Sequence, residues 1–492
     1  MRSLSLALFV ALLPLVAHAA NNDRSQAKLW QASVVALEVT RQQYDHLQPW
    51  TRQAQPIAKV GVVLPNRQIL TTARDLEDLT LVRVQKGGRG QWWTGELIWA
   101  DYFSDVALIT VADDTFWHGL KSVALAARLN PAASARIVRW NAGTFEMRKA
   151  EISRFDVTNP SFTDTAHVFA ELTAELAGAG WGEPVFDGKR LIGLVFSQAN
   201  NVCQTLPAPF IRAIIEARSK PGYRGLGYFD FTWQPTVNPE THRYLRWNGP
   251  PRGVVVIDVV DKPEKPSVLK PRDLLLEVDG FQIDIQGDYL DPAYGHLMLE
   301  NLATRNKWAG DPVRLKIWRD ARELEVDYIL PEARNAARLV PTAPYDQEPA
   351  YVLLGGLVFQ PLTRNYLRSW GESWEQRAPF RLAYFRNEEP TPERPGIVVL
   401  SQVLPDFFNL GYHDLRNLVL ERLNHQPVSS LDELVSALDH PTNAFHVFDF
   451  MKGDSLQRVV LDADQLEEAT RRVQQVYGVQ KDRVLLHKPS GG

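Results

Sequence analysis

Covalent hydrolysis of an acyl bond needs a hydroxyl or thiol, a base to take its proton, and donors for the oxyanion. Three short stretches bear on that chemistry. Ala179-Gly180-Trp181-Gly182-Glu183-Pro184 has the small-residue spacing of a turn that presents a nucleophile, but Trp181 stands at its centre. An indole offers no nucleophilic atom, and its N–H is a donor only. Asp105 opens the apolar run Val106 to Val111, and Arg74 follows Ile69-Leu70-Thr71-Thr72-Ala73. A guanidinium stays protonated and cannot act as a general base. Cys203 is the only cysteine and lies in an apolar run, which marks a small buried hydrophobe. CxxC and CxxH patterns are absent and the histidines lack ligand spacing, so no metal and no cofactor is expected.

The elements that would position these residues read as short strands. From Ser33 to about Phe210 they recur at roughly 8–12-residue spacing, the pattern of an antiparallel sandwich or barrel. Phe210 to Ala217 reads as a closing helix and Ser219-Lys220-Pro221-Gly222 as a linker. Two further units share the order strand, turn, strand, helix, hairpin, which indicates a duplicated module. The first contains Gly253-Val254-Val255-Val256-Ile257, a helix over Tyr294 to Thr304, and a hairpin turning at Asp320-Ala321. The second contains Gly396 to Leu400, a helix over Leu431 to Leu438 and a hairpin from Phe445. Arg334 to Pro349 joins the two, Asp464 to Val476 is helical in composition, and Lys488 to Gly492 reads as a disordered end.

The chain has 492 residues, 45% hydrophobic, and a formal charge of −4. That length suggests two to four domains, and the balanced charge gives no reason to expect nucleic acid or an anionic membrane as partner. Arg2, the apolar run Leu4 to Val16 and the small-x-small site Ala17-His18-Ala19 form an export signal over residues 1–19. About thirteen apolar residues are too few to span a bilayer, and no later stretch is long enough, so a soluble exported chain is expected.

Taken together, the motifs resemble the HtrA/Deg family of secreted or organellar serine proteases. Ile69 to Leu76 is similar to the segment that carries the family's histidine, and Tyr102 to Val111 to the one that carries its aspartate. Ala179 to Pro184 aligns with its nucleophile loop, Leu191 to Val195 with the next strand, and Leu206-Pro207 with the step into the closing helix. Tyr351 to Thr363, Leu400 to Leu404 and Asn409 to Tyr412 resemble a plant-type subgroup with two divergent PDZ domains. The resemblance implies a mainly β chain: a chymotrypsin-like double β-barrel followed by two PDZ-like α+β domains. Its expected bounds are 20–220 for the barrels, 225–333 for the first PDZ-like domain and 350–480 for the second.

Carried over residue by residue, the triad positions fall on Arg74, Asp105 and Trp181, so only the aspartate survives. Ala179 and Glu183 replace two loop glycines, and Glu183 would oppose a developing negative charge. Ser153, Ser161 and Ser197 are the serines that a slipped frame would promote, with His118 or His167 as a displaced base; none has the expected loop around it. Arg74 is expected to pair with Asp105, and Trp181 either fills the former specificity pocket or lies on the loop surface. The resemblance further implies a proteolytically inactive protein that binds unfolded or C-terminal peptide segments, or that regulates a partner. PDZ domains add a peptide as a strand to a sheet edge. That places peptide binding at Tyr244, Leu245 and Arg246 and along Gly253, Val254 and Val255. In the second module the corresponding region is Asn365-Tyr366-Leu367 with Gly396 to Leu400. Implied partners are a trimer-based homo-oligomer or active HtrA relatives, and the implied compartment is a bacterial periplasm. The alternatives are an active endopeptidase with an unrecognised nucleophile and a structural component of an envelope complex.

Overall fold

The computed structural model describes residues 25–485, apart from 133, 159–164, 261–265, 334–337, 342–344, 372 and 454–457. The expected export signal, Ser161 and the last residues lie outside the described residues. The chain forms two compact units, Met1–Thr40 with Pro56–Asn335, and Arg41–Gln55 with Ala336–Gly492.

Two barrels open the first unit. β1 (Val34–Tyr44), β2 (Arg52–Leu64), β3 (Gln68–Thr71), β4 (Leu79–Lys86), β5 (Trp92–Asp101) and β6 (Val106–Thr110) close in the order β1-β2-β3-β6-β5-β4. Their inward residues, among them Leu37, Ile69, Val84 and Ile109, fill one core. The turn between β2 and β3 is Pro65-Asn66-Arg67, with Asn66 at φ 62°; asparagine tolerates that left-handed region. The second barrel follows: β7 (Ala124–Leu125), β8 (Ala135–Asn141), β9 (Thr144–Thr158), β10 (His167–Ala174), β11 (Pro184–Asp187), β12 (Arg190–Ala199) and β13 (Val202–Pro207). The order β8-β9-β10-β13-β12-β11 returns to β8, and β7 adds in parallel to β12. Cys203 is buried here, as its apolar surroundings require, and the helix Ala208–Arg218 closes the domain.

The first module is a sheet of β14 (Phe231–Gln234), β15 (Val254–Val259), β16 (Leu274–Val278) with β17 (Phe281–Gln282), β20 (Pro312–Arg319) and β21 (Arg322–Ile329), ordered β14-β15-β16-β20-β21. Before β20 stands a separate hairpin, β18 (Asp288–Asp291) with β19 (Gly295–Met298). The helix expected over Tyr294 to Thr304 is therefore this strand followed by a 3₁₀ turn, Leu299–Ala303. Tertiary contacts override local propensity there: Tyr294 packs on Phe155 of β9 at 4.6 Å, and Thr304 Oγ1 donates to the Ala166 carbonyl at 3.2 Å. One hydrophobic cluster runs from Trp30 through both barrels to Leu330, so no division falls at the expected linker near Lys220.

The second unit is built on β22 (Tyr351–Leu354), β23 (Leu357–Pro361), β24 (Val398–Val403), β25 (Leu418–Leu423) with β26 (Gln426–Pro427), β27 (Phe445–Phe450), β28 (Arg458–Asp462) and β29 (Arg483–Val484). The order is β28-β27-β25-β24-β23-β22-β29. Helices Leu431–Ala437 and Leu466–Tyr477 appear where periodicity placed them.

Candidate functional site

The loop Ala179–Pro184 leaves the second barrel and returns into β11. Gly182 sits at φ 93°, and a Cβ there would meet Thr71 Oγ1 and the Val60 carbonyl at 2.8 Å each. This close approach docks the loop on the first barrel: the Trp181 carbonyl accepts the Val60 N–H at 2.9 Å. Beside Val60, Lys59 is buried and its Nζ donates to Thr72 Oγ1 at 2.8 Å and to the Arg74 carbonyl at 2.6 Å. Arg74 in turn donates its backbone N–H to Asp105 Oδ1 at 2.7 Å. A continuous chain of bonds through Lys59 and Val60 thus links Asp105, Arg74 and Trp181. The hydrogen bond from Arg74 to Asp105 Oδ1 is made by the Arg74 amide.

Asp105 is fully buried at φ 56°, and its Oδ2 has no hydrogen-bond partner among the described residues. Burial raises its carboxyl to about 7, opposed first by the charge of Lys59 and then by the Arg74 amide. Burial also lowers Lys59 from its usual range, with Asp105 the largest opposing influence. Lys59 and Thr72 form an amine–hydroxyl pair, the raw material of a base and nucleophile. Both are enclosed, at 3% and 0% exposure, so the pair fastens the two strands and meets no substrate carbonyl.

The loop's amides are also occupied. In a trypsin-like site the oxyanion donors are the N–H of the nucleophile and that of the residue two before it. Here the Trp181 N–H goes to Glu183 Oε2 at 2.8 Å, joined by the Gly180 N–H at 2.9 Å. The Ala179 N–H goes to Gln198 Oε1 at 2.6 Å, and Gln198 Nε2 donates back to the Leu176 carbonyl. Glu183 is buried beside Arg139 at 3.4 Å, and Arg139 spans the loop to the Ala177 and Gly178 carbonyls and to Glu146. Glu183 was expected to repel an oxyanion; it stands in for one.

Trp181 is 40% exposed, which resolves its two alternatives in favour of the loop surface. The slipped-frame residues gain no support. Ser153 Oγ donates to the Glu171 carbonyl on an exposed face of β9. His118 is exposed after a short helix, and His167 is buried, stacked on Phe210 at 4.7 Å.

The edge-strand reading of Gly253, Val254 and Val255 fails on topology. β15 is flanked on both sides: Gln234 pairs with Val255 from β14, while Leu275 and Leu274 pair with Val254 and Val255 from β16. Its continuous apolar run marks an interior strand, and among the described residues the sheet's two edges are β14 and β21. Tyr244, Leu245 and Val255 do share a pocket, but Arg246, Gly253 and Val254 do not line it. In the second unit the expected strand is β24, enclosed by β23 and β25, and Tyr366 and Leu367 are buried. Lys59 and Gln198 went unnoticed in sequence. The signal for Lys59 was a lone charge inside the apolar strand Ala58 to Leu64.

Two closed six-stranded barrels with a nucleophile-type loop ahead of β11, followed by further sheet modules, form a trypsin-like fold with a PDZ domain at the C-terminus. Residues 340–484 match the PDZ domain family. Protease Do-like 2, chloroplastic, of Arabidopsis thaliana is 24% identical over 476 residues, covering 93% of this chain and 76% of the relative. Protease Do-like 4, mitochondrial, of the same plant is 22% identical, with 80% and 74% covered. The solved structure of the HtrA-type protease AlgW with decapeptide aligns at 14% identity and a TM-score of 0.47, over 62% of this chain and 97% of that one. These relatives and the PDZ match support the HtrA/Deg (protease Do-like) family for this chain.

Proposed function

We propose that this is a non-catalytic HtrA/Deg protein that holds unfolded or C-terminal polypeptide segments, or regulates a partner, in envelope protein quality control. The observation that carries the reading is the double occupancy of the loop amides, Trp181 N–H by Glu183 and Ala179 N–H by Gln198. A substrate oxyanion would have to displace two built-in acceptors, and no hydroxyl stands at position 181 to form it. Retention of the barrels and PDZ modules fits a binding role, and the open edge of β14 offers strand addition. The n-h-c pattern of residues 1–19 supports export, with a periplasm as the destination, and the family resemblance supports a trimer-based assembly or pairing with active relatives.

The test incubates the purified protein with unfolded casein and a serine-reactive fluorophosphonate, and measures suppression of aggregation by light scattering. Suppression without cleavage or labelling is expected. Cleavage that survives Trp181→Ala and Arg74→Ala but is lost on changing another serine would establish an active endopeptidase instead. A pull-down dominated by one stoichiometric partner would favour the envelope-complex component.

A further inference from the structure

The pocket that gathers Tyr244, Leu245 and Val255 has a volume of about 440 Å³, within the ~300–1,000 Å³ range of sites that enclose a ligand group. One wall is the helix Pro239–Tyr244; the other is β15 from Val255 to Ile257 with the turn Pro271-Arg272. Because β15 is hydrogen-bonded on both sides, a ligand here inserts side chains and adds no strand. The surroundings are apolar and open: Tyr244 is 66% exposed, and Val237, Ile257 and Val268 are exposed nearby in sequence. The charges are asymmetric. Glu240 is matched by Arg243 at 2.9 Å. Arg272 lies over the Tyr244 ring at 4.9 Å, and among the described residues no carboxylate pairs with it. Its backbone is tied by its N–H to the Val256 carbonyl at 2.8 Å, which fixes where the guanidinium emerges. An aromatic ring holding an unmatched cation at the mouth of an apolar pocket selects a bulky apolar group next to an anion.

We propose that this pocket is a second polypeptide site, which takes an internal extended segment carrying a large apolar side chain beside an acidic one. The inference rests on the polypeptide-holding reading above and names its ligand class and anchors. Arg272 supplies the carboxylate partner, Tyr244 the aromatic wall, and Val255 and Val256 the floor.

The full-length protein is titrated against a fluorescent, terminally blocked peptide, Gly-Ser-Phe-Asp-Ser-Gly, at low salt, with anisotropy as the readout. Arg272→Gln and Tyr244→Ala are each expected to weaken binding about tenfold, while Arg272→Lys retains most of it. Replacing the peptide's Phe by Ala, or its Asp by Lys, is expected to weaken binding similarly. Both positions are exposed, and unchanged thermal midpoints check that the variants fold. No binding by the unaltered protein, equal binding of the Lys peptide, or full binding by Arg272→Gln would each overturn the site. Aggregation suppression by the unaltered protein separates the two claims. If it persists while the peptide result fails, only the pocket is wrong; if it is absent, the polypeptide-holding reading is wrong.

Discussion

The Glu183 carboxylate accepts the backbone N–H of Trp181 at 2.8 Å, across a single intervening residue. The loop therefore departs twice from a serine-protease site, once in the missing hydroxyl and once in the filled donors. Arg74→His with Trp181→Ser is expected to stay unreactive toward a fluorophosphonate. Adding Glu183→Gly frees the Trp181 and Gly180 amides and should raise the labelling rate, by about 100-fold if one donor is worth what oxyanion donors usually are. Equal labelling rates in the double and triple variants would show that Glu183 does not block the site.

The fate of these residues shows what a sequence discloses. Arg74, Asp105 and Trp181 were legible because each sits in a motif with a fixed position on its strand or loop. Glu183 was legible only as a charge that would oppose an oxyanion; that its carboxylate turns back to amides of its own loop was hidden, because backbone direction is not written in residue type. Lys59 belongs to no motif; its contact with Thr72 and Arg74 arises only when β2 and β3 pair. The interior placement of β15 was equally hidden, since strand neighbours are set by topology, although its unbroken apolar run was a clue.

Asp105 should make stability depend on pH. Its folded pKa, raised to about 7, lies above the ordinary 3.8 of the unfolded chain. The folded state therefore keeps a proton that the unfolded state has lost, and this stabilisation is full below about pH 3.8 and gone by about pH 7. The difference between the unaltered protein and Asp105→Asn should shrink as pH rises through that window, by at most ~1.4 kcal/mol per unit. Buried His167, held down to about 4, acts oppositely: its contribution is full above pH 6.5 and is lost as pH falls toward 4. His167→Phe should therefore gain relative to the unaltered protein on acidification. Thermal midpoints at half-unit steps from pH 4 to 7.5 test both; parallel profiles would refute the assignments.

Gly253 was expected to serve a peptide and instead serves the sheet. It stands at φ 83°, and an added Cβ would lie 2.5 Å from the Leu275 carbonyl. Gly253→Ala thus combines left-handed strain with a backbone clash that cannot be relieved by side-chain rotation. A loss of roughly 2–4 kcal/mol is expected, from backbone strain of ~1–3 kcal/mol plus overpacking. Urea unfolding of the full chain measures it, and a change under 1 kcal/mol would mean that the turn can move.

In the second unit, Asn409 and Asp406 share one small motif but should differ sharply in weight. Asn409 is fully buried: Nδ2 donates to the Gly355 and Leu404 carbonyls at 2.8 and 2.9 Å, and Oδ1 accepts the Asp406 N–H at 3.1 Å. Asp406, with only 9% of its side chain exposed, accepts the Phe408 N–H and forms a bidentate pairing with the more exposed Arg472, which holds its carboxyl below the usual range. An apolar replacement at 409 leaves two carbonyls and one amide without partners in a closed space, whereas loss of Arg472 leaves Asp406 its Phe408 amide donor and opens its carboxylate to water on the side that Arg472 covered. Unpaired buried groups cost ~1–3 kcal/mol each, against ~0–1 kcal/mol for an ion pair whose cation stays partly solvated. Asn409→Leu is therefore expected to lower hydrogen-exchange protection across β22 and β23 by about 100-fold or more, while Arg472→Ala barely changes it. Comparable losses in the two variants would mean that the Asp406–Arg472 pair fastens this turn as much as the buried amide does.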